Sequence, residues 1–256
     1  MSAATVIDAS RDLRPRAVDR SAAAGDPFAA ATLARLEAKA EGRDARGVLE
    51  LALNEEFEGR AAVVSSFGSE SVVLLHMVSQ IAPNAPILFL NTGKLFGETL
   101  RYRDRLQDAL GLGDIRSIGP NASERDARDP EGTLWSRDAD ACCAFRKTVP
   151  IRRALEGFAA QVTGRKRFQT EARAAMRRVE YYEGRFRFNP LADWTREDLD
   201  AYIAARNLPR HPLVEDGYPS IGCIPCTRRV RDGEGYRDGR WSGLDKDECG
   251  IHGLDG

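Results

Sequence analysis

Five cysteines stand in a chain of 256 residues, and their spacing defines the first chemistry to consider. Cys142 and Cys143 are adjacent, Cys223 and Cys226 enclose two residues, and Cys249 stands alone near the end. Thiolates ligate soft metals and attack electrophilic centres. Neighbouring side chains diverge, so an adjacent pair serves one tetrahedral zinc ion poorly, whereas an iron–sulfur cubane offers separate iron corners to successive thiolates. Cys142, Cys143, Cys223 and Cys226 therefore favour a cluster over zinc, with a dithiol redox pair or plainly buried thiols as the remaining readings. Cys249 lies in polar, glycine-rich sequence alongside Arg240, Lys246 and His252, cations that favour a thiolate. It reads either as a nucleophile or as an incidental surface thiol.

A second candidate is an anion site at Ser65-Ser66-Phe67-Gly68-Ser69-Glu70-Ser71. Small hydroxyl side chains and a glycine let backbone N–H groups approach a phosphate closely. The segment lacks the Gly-Lys-Thr ending of a Walker loop, so hydrolysis of a terminal phosphate is not implied. An ordinary strand-to-helix turn with a serine cap is the plain alternative. Basic residues that could complete an anion site are Arg165, Lys166 and Arg167, then Arg237 and Arg240, with surface charges as the bland reading.

These residues need a scaffold, and the pattern around them supplies one. Ala61 to Ser66 is a short apolar run suited to a strand buried on both faces, followed by a helix from Glu70 to Ile81. Pro86 to Leu90 repeats the pattern, with Asn91-Thr92-Gly93 as turn and Gly97 to Leu110 as helix. Gln161 to Thr163 and Phe186 to Pro190 could add strands, and Thr195 caps a helix running to Arg206. Phe28 to Phe57 suggests two helices broken near Gly42. The alternation predicts an α/β fold with an open, mostly parallel sheet and helices on both faces. Expected boundaries are a flexible arm over residues 1–25, one globular unit over 26–232, and a mobile C-terminal tail over 233–256.

Lys and Arg total 38 against 39 Asp and Glu, so no global field draws the chain to nucleic acid or an anionic membrane. The longest apolar run, around Ser71 to Ile81, is too short to span a bilayer, and a cytoplasmic location is expected. In a reducing compartment the cysteines serve better as ligands or catalytic thiols than as disulfides.

Five segments in this order resemble the sulfonucleotide reductases over the span from Ala61 to His252. They are the phosphate loop with Leu90-Asn91-Thr92-Gly93, Cys142-Cys143, Thr163 to Gln169, Gly222-Cys223 to Cys226, and Glu248-Cys249-Gly250-Ile251-His252. The resemblance implies an adenine nucleotide alpha-hydrolase-like fold and a nucleotide held by Ser65, Ser66, Phe67, Gly68, Ser69, Glu70, Leu90, Thr92, Gly93, Arg165, Arg237 and Arg240. It also implies a [4Fe-4S] cluster on Cys142, Cys143, Cys223 and Cys226, with Lys147 between cluster and substrate, and catalysis by Cys249 with His252. Double-cysteine motifs mark the branch of that family that mostly reduces adenosine 5′-phosphosulfate, with thioredoxin as the reductant. A reductase for the 3′-phosphorylated nucleotide, or for both, is the nearest rival. More distant rivals are an ATP pyrophosphatase and a zinc-stabilised interaction module. The second turn departs from the family, which carries Asp where Asn91 stands here. The sequence leaves the oligomeric state open, a homo-oligomer included.

Overall fold

The computed structural model describes residues 26–243 and 246. Helix α1 (Pro27–Ala40) begins with proline at its first position, where no N–H is needed, and Asp26 accepts the N–H groups of Phe28 and Ala29. Helix α2 (Ala45–Glu50) is capped by Asp44 and runs on as a π-helical turn over Leu51–Glu56. The expected break at Gly42 is present, with that glycine at φ 72 between the two helices.

The chain then alternates β1 (Ala61–Ser65), α3 (Ser71–Ile81), β2 (Ile87–Leu90), α4 (Gly97–Leu110) and β3 (Ile115–Ile118). Short helices α5 (Ala122–Arg128), α6 (Leu134–Arg137) and α7 (Ala139–Cys143) follow. A π-helical turn (Ala144–Thr148) joins α7 to α8 (Val149–Ala154). The chain continues through β4 (Ala160–Thr163), β5 (Val179–Tyr182), β6 (Arg185–Phe188) and α9 (Arg196–Ala205). A capping box between Thr195 and Asp198 starts α9 where the sequence predicts it.

One six-stranded sheet results, in the order β3-β2-β1-β4-β6-β5. Every neighbouring pair is parallel except β5–β6, which is antiparallel. The two-residue β5–β6 turn uses Glu183 at φ 50 and Gly184 at φ 77, the left-handed pair that matches strand twist. The central strands are buried on both faces. Val63, Ile87, Val162 and Phe188 face a large core with α1 to α4 and α9, while Ala62, Val64, Leu88 and Leu90 meet Ile151 and Leu155 on the opposite side. Helices therefore cover both faces, α8 alone supplying the second cluster's helical residues. Among the described residues no helix is long and apolar enough to cross a membrane.

Candidate active site

In a parallel sheet the loops after the strands gather at one edge, where helix N-termini and free backbone donors meet. Here the loops after β1, β2 and β4 and the segment 219–241 enclose a single cleft. Ser65, Ser66, Gly68, Ser69, Glu70, Leu90, Thr92, Lys147, Arg165, Arg237, Arg240 and Cys223 all line it. Phe67 and Gly93 are not among the lining residues. Cys249 and His252 lie outside the described residues.

The loop after β1 is shaped by burial of one ring. Phe67 is fully buried at φ 52 and meets Phe89 edge-on at 5.2 Å, while its N–H donates to Ser65 Oγ at 3.1 Å. Apolar burial holds this residue in a conformation that its Cβ disfavours, which leaves Gly68 and Ser69 on the cleft wall. The Ser69 hydroxyl donates to the Pro219 carbonyl at 2.6 Å and ties this loop to the C-terminal segment.

Glu70 is the hub of the cleft. Its carboxylate accepts Lys166 Nζ at 2.5 Å, Gln169 Nε2 at 2.7 Å and the Tyr236 hydroxyl at 2.6 Å. Burial pushes the Glu70 carboxyl up, but the Lys166 ammonium and these hydrogen bonds outweigh it and hold the group below the usual carboxylate range. Burial pulls the Lys166 ammonium down against the same partner. Gln169, Arg173 and Tyr236, none of them a sequence-based candidate, line the cleft beside the expected residues. Their one signal in the sequence is proximity to Lys166 and Arg237.

Arg165 has a different setting from a solvent-facing anion ligand. Its guanidinium donates to Glu180 at 2.6 Å, to Asn189 at 3.0 Å and to Thr163 Oγ1 at 3.2 Å, bracing β4 against the β5–β6 hairpin. Arg240 stacks over Trp241 at 4.3 Å, and its guanidinium occupies the space that a side chain at position 222 would need. A Cβ on Gly222 would lie 2.3 Å from Arg240 Nη2, so a side chain there would displace the guanidinium. Within residues 233–243, the start of the expected tail, Trp241 is buried, its backbone N–H donates to the Cys226 carbonyl at 3.1 Å, and Arg240 bridges Thr227. Lys246 pairs with Asp140, two residues before Cys142.

At the second turn Asn91 Oδ1 accepts the Gly93 N–H at 3.1 Å. An amide oxygen serves that bond as a carboxylate would, so the departure at Asn91 leaves the turn intact.

The four cysteines come from two segments that meet beside the cleft. Cys142 and Cys143 end α7, and Cys223 caps a helical turn that ends at Cys226 and whose Ile224 is 52% exposed. Burial pushes the Cys142 thiol up, with Cys223 and Cys226 close enough to add to it and Arg146 and Lys147 opposing it. Burial likewise raises Cys226, with Cys223 adding and Lys147, Arg240 and Lys246 opposing. The thiols of Cys142, Cys223 and Cys226 and their facing cations therefore share one neighbourhood, with Cys143 adjacent in the chain, as thiolate ligation needs. Among the described residues no group of three or more His, Cys, Asp or Glu side chains converges as a single ion's ligand set.

Comparison with known proteins agrees with this arrangement. Residues 60–229 match the phosphoadenosine phosphosulfate reductase domain. The chain is 50% identical over 209 residues to an adenosine 5′-phosphosulfate reductase of Chelativorans sp. strain BNC1, covering 81% of this chain and 85% of that one. A Mesorhizobium japonicum protein of the same name is 45% identical over 246 residues, covering 93% and 94%. A Gloeobacter violaceus relative, 40% identical and covering 77% and 83%, is named phosphoadenosine 5′-phosphosulfate reductase. In fold the chain is similar to a phosphoadenylyl-sulfate reductase of Candida auris, with TM-score 0.64, 24% identity, and 77% and 96% of the two chains covered. The matched domain spans the phosphate loop, both cysteine pairs and all of the cleft lining except Tyr236, Arg237, Arg240 and Trp241, and on these grounds the chain belongs to the phosphoadenosine phosphosulfate reductase family.

Proposed function

We propose that the protein reduces adenosine 5′-phosphosulfate to sulfite and AMP in sulfate assimilation, with Cys249 as nucleophile and thioredoxin as reductant. One observation carries this reading: the phosphate loop, Lys147 and Cys223 line the same cleft, so the nucleotide and thiol chemistries share a wall. Backbone donors around Gly68 and Ser69 and the cations Lys147, Arg237 and Arg240 suit adjoining phosphate and sulfate groups.

The Cys249 thiolate attacks the sulfur of the bound sulfuryl group. The S–O bond to phosphate breaks, AMP leaves with its electron pair, and Cys249 carries the SO3 group as an S-sulfocysteine. A thioredoxin thiolate then attacks the Cys249 sulfur, the S–S bond to the SO3 group breaks, and sulfite departs with that pair. The second thioredoxin thiol resolves the mixed disulfide and returns Cys249 as thiol, so the dithiol supplies both electrons.

Cys142, Cys143, Cys223 and Cys226 would hold the [4Fe-4S] cluster, their clustered burial and the cations Arg146 and Lys147 fitting a thiolate-ligated group. When bound, it supplies a fixed charge and a brace, and Lys147 stands between it and the cleft. Cytoplasmic operation agrees with reduced thiols. The deciding experiment mixes the protein with adenosine 5′-phosphosulfate in the absence of thioredoxin. The peptide containing Cys249 gains the mass of one SO3 group, and adding reduced thioredoxin releases sulfite. The same mass on another cysteine, or none with substrate consumed, removes Cys249 from the mechanism.

A further inference from the structure

The helical segment carrying Cys142 and Cys143 bears two buried cations one turn further on, and only Lys147 lines the cleft. Its neighbour Arg146 is 4% exposed and engages different partners. One guanidinium nitrogen donates to Asp129 Oδ2 at 2.6 Å, and another to the Thr92 carbonyl at 2.8 Å. Asp129 is itself buried, and its other oxygen accepts the Leu134 N–H at 2.9 Å, so the carboxylate cannot turn away. Burial pushes Asp129 up, and the Arg146 and Leu134 hydrogen bonds outweigh it and keep the group charged.

The residue that Arg146 grips has two further ties, and its neighbours add two more. Thr92 Oγ1 lies 3.2 Å from Cys223 Sγ and accepts the Lys94 N–H at 3.2 Å. The Lys94 carbonyl accepts the Ile224 N–H at 2.8 Å, and Leu95 bridges Cys223. The turn from Thr92 to Leu95 is thus held on one side by the segment bearing the first cysteine pair and on the other by the second pair. Leu90, Thr92 and Leu95 also line the cleft.

A buried ion pair is a costly way to fill space, and apolar side chains of similar volume often serve stability better. A guanidinium offers what apolar groups cannot, namely two directed donors fixed in one plane. We infer that Arg146, seated by Asp129, is a positioning residue that sets the Thr92–Leu95 turn against both cysteine pairs and the nucleotide, ordering the two sites as one unit. This rests on reading the cleft as the nucleotide site and the four thiols as cluster ligands. Coupling of this kind is reciprocal, so nucleotide and thiol site each tighten the other.

The test uses Arg146→Lys, which keeps the charge but spans one acceptor, and Asp129→Asn, which keeps the shape. AMP affinity is measured by calorimetry on cluster-loaded protein, together with the rate of iron transfer to a chelator with and without AMP. In the parent, AMP slows iron transfer. In both variants AMP affinity falls about tenfold and AMP no longer slows the transfer, while Asp129→Asn is isolated with the parent's iron content. Should Arg146→Lys fail to fold, Asp129→Asn decides alone. Parent-like affinity together with parent-like protection in Asp129→Asn overturns the inference. A parent without iron, or without AMP binding, instead sinks the underlying reading of the site.

Discussion

The Tyr236 hydroxyl donates to Glu70 at 2.6 Å, joining residues 166 positions apart. A carboxylate facing a cleft for an anionic ligand would repel it if unpartnered, and Glu70 is instead covered by the donors Tyr236, Lys166 and Gln169. Its role is to hold three separate segments in register. Tyr236→Phe removes one donor and leaves a buried acceptor underused, at about 1 kcal/mol. AMP affinity measured by calorimetry should fall roughly fivefold, with thermal stability little changed. Unaltered affinity would show that the hub does not shape the cleft.

Cys226 is half-buried and shares its surroundings with Cys223, Lys147 and Arg240. Cys226→Ser should abolish the visible absorption of anaerobically purified protein and the stoichiometric iron and sulfide expected of the parent. One equivalent of zinc in the parent, with neither iron nor sulfide, would overturn the cluster.

Substrate choice is read from kcat/KM on the two nucleotides. The double cysteine pairs predict a preference of at least about tenfold for adenosine 5′-phosphosulfate over its 3′-phosphorylated form, and the mixed names of the relatives make this comparison informative. An equal or higher ratio for the 3′-phosphorylated substrate would reverse the assignment.

His211 is fully buried beneath α4. It accepts the Leu213 N–H at Nδ1 (3.3 Å), which leaves Nε2–H to donate to Thr99 Oγ1 at 3.0 Å. Burial lowers its pKa to about 4. The unfolded chain therefore binds the proton first, so this contribution to stability is complete above about pH 6.5 and is lost as pH falls toward 4. Between about pH 7.5 and about pH 5 the loss is roughly 2 kcal/mol. Denaturant unfolding of His211→Gln should show a pH dependence smaller by that amount, and an unchanged slope would contradict the neutral buried ring.

Much of the central scaffold could be read directly. Ala61 to Ser65 and Ile87 to Leu90 are uninterrupted apolar runs because both faces of those strands are covered, and Gly97–Leu110 is bounded as expected because Gly111 ends it at φ 64. The outer strands escaped notice. Ile115-Arg116-Ser117-Ile118 and Val179-Glu180-Tyr181-Tyr182 are half-exposed at the sheet's two edges, so each carries charge and shows no sustained pattern. The π-helical turn at Ala144–Thr148 has no local signature at all, yet it places Arg146 and Lys147. Arg165 lines the cleft as its position in the sequence suggests, while its partners Glu180 on β5 and Asn189 just after β6 are set by a strand pairing that only the folded sheet reveals.

Of the 38 basic residues only Lys39, Lys94, Lys147, Lys166 and Lys246 are lysines. Lys147 and Lys166 line the cleft, Lys94 borders it in the Thr92–Leu95 turn, and Lys246 pairs with Asp140 on the cysteine helix. Guanidinium groups stay protonated and resist acylation, whereas a lysine amine can be acylated wherever it is exposed and gives up its proton. Acetyl donors and other amine-directed reagents would thus find nearly all of their targets around the site, with Lys39 on α1 as the one distant internal control. Mapping acetylated lysines with and without AMP would show protection at Lys147 and none at Lys39, with Lys166 shielded in both cases by burial and by Glu70, and a chain with almost no amines elsewhere would carry its acetylation record at the place where it works.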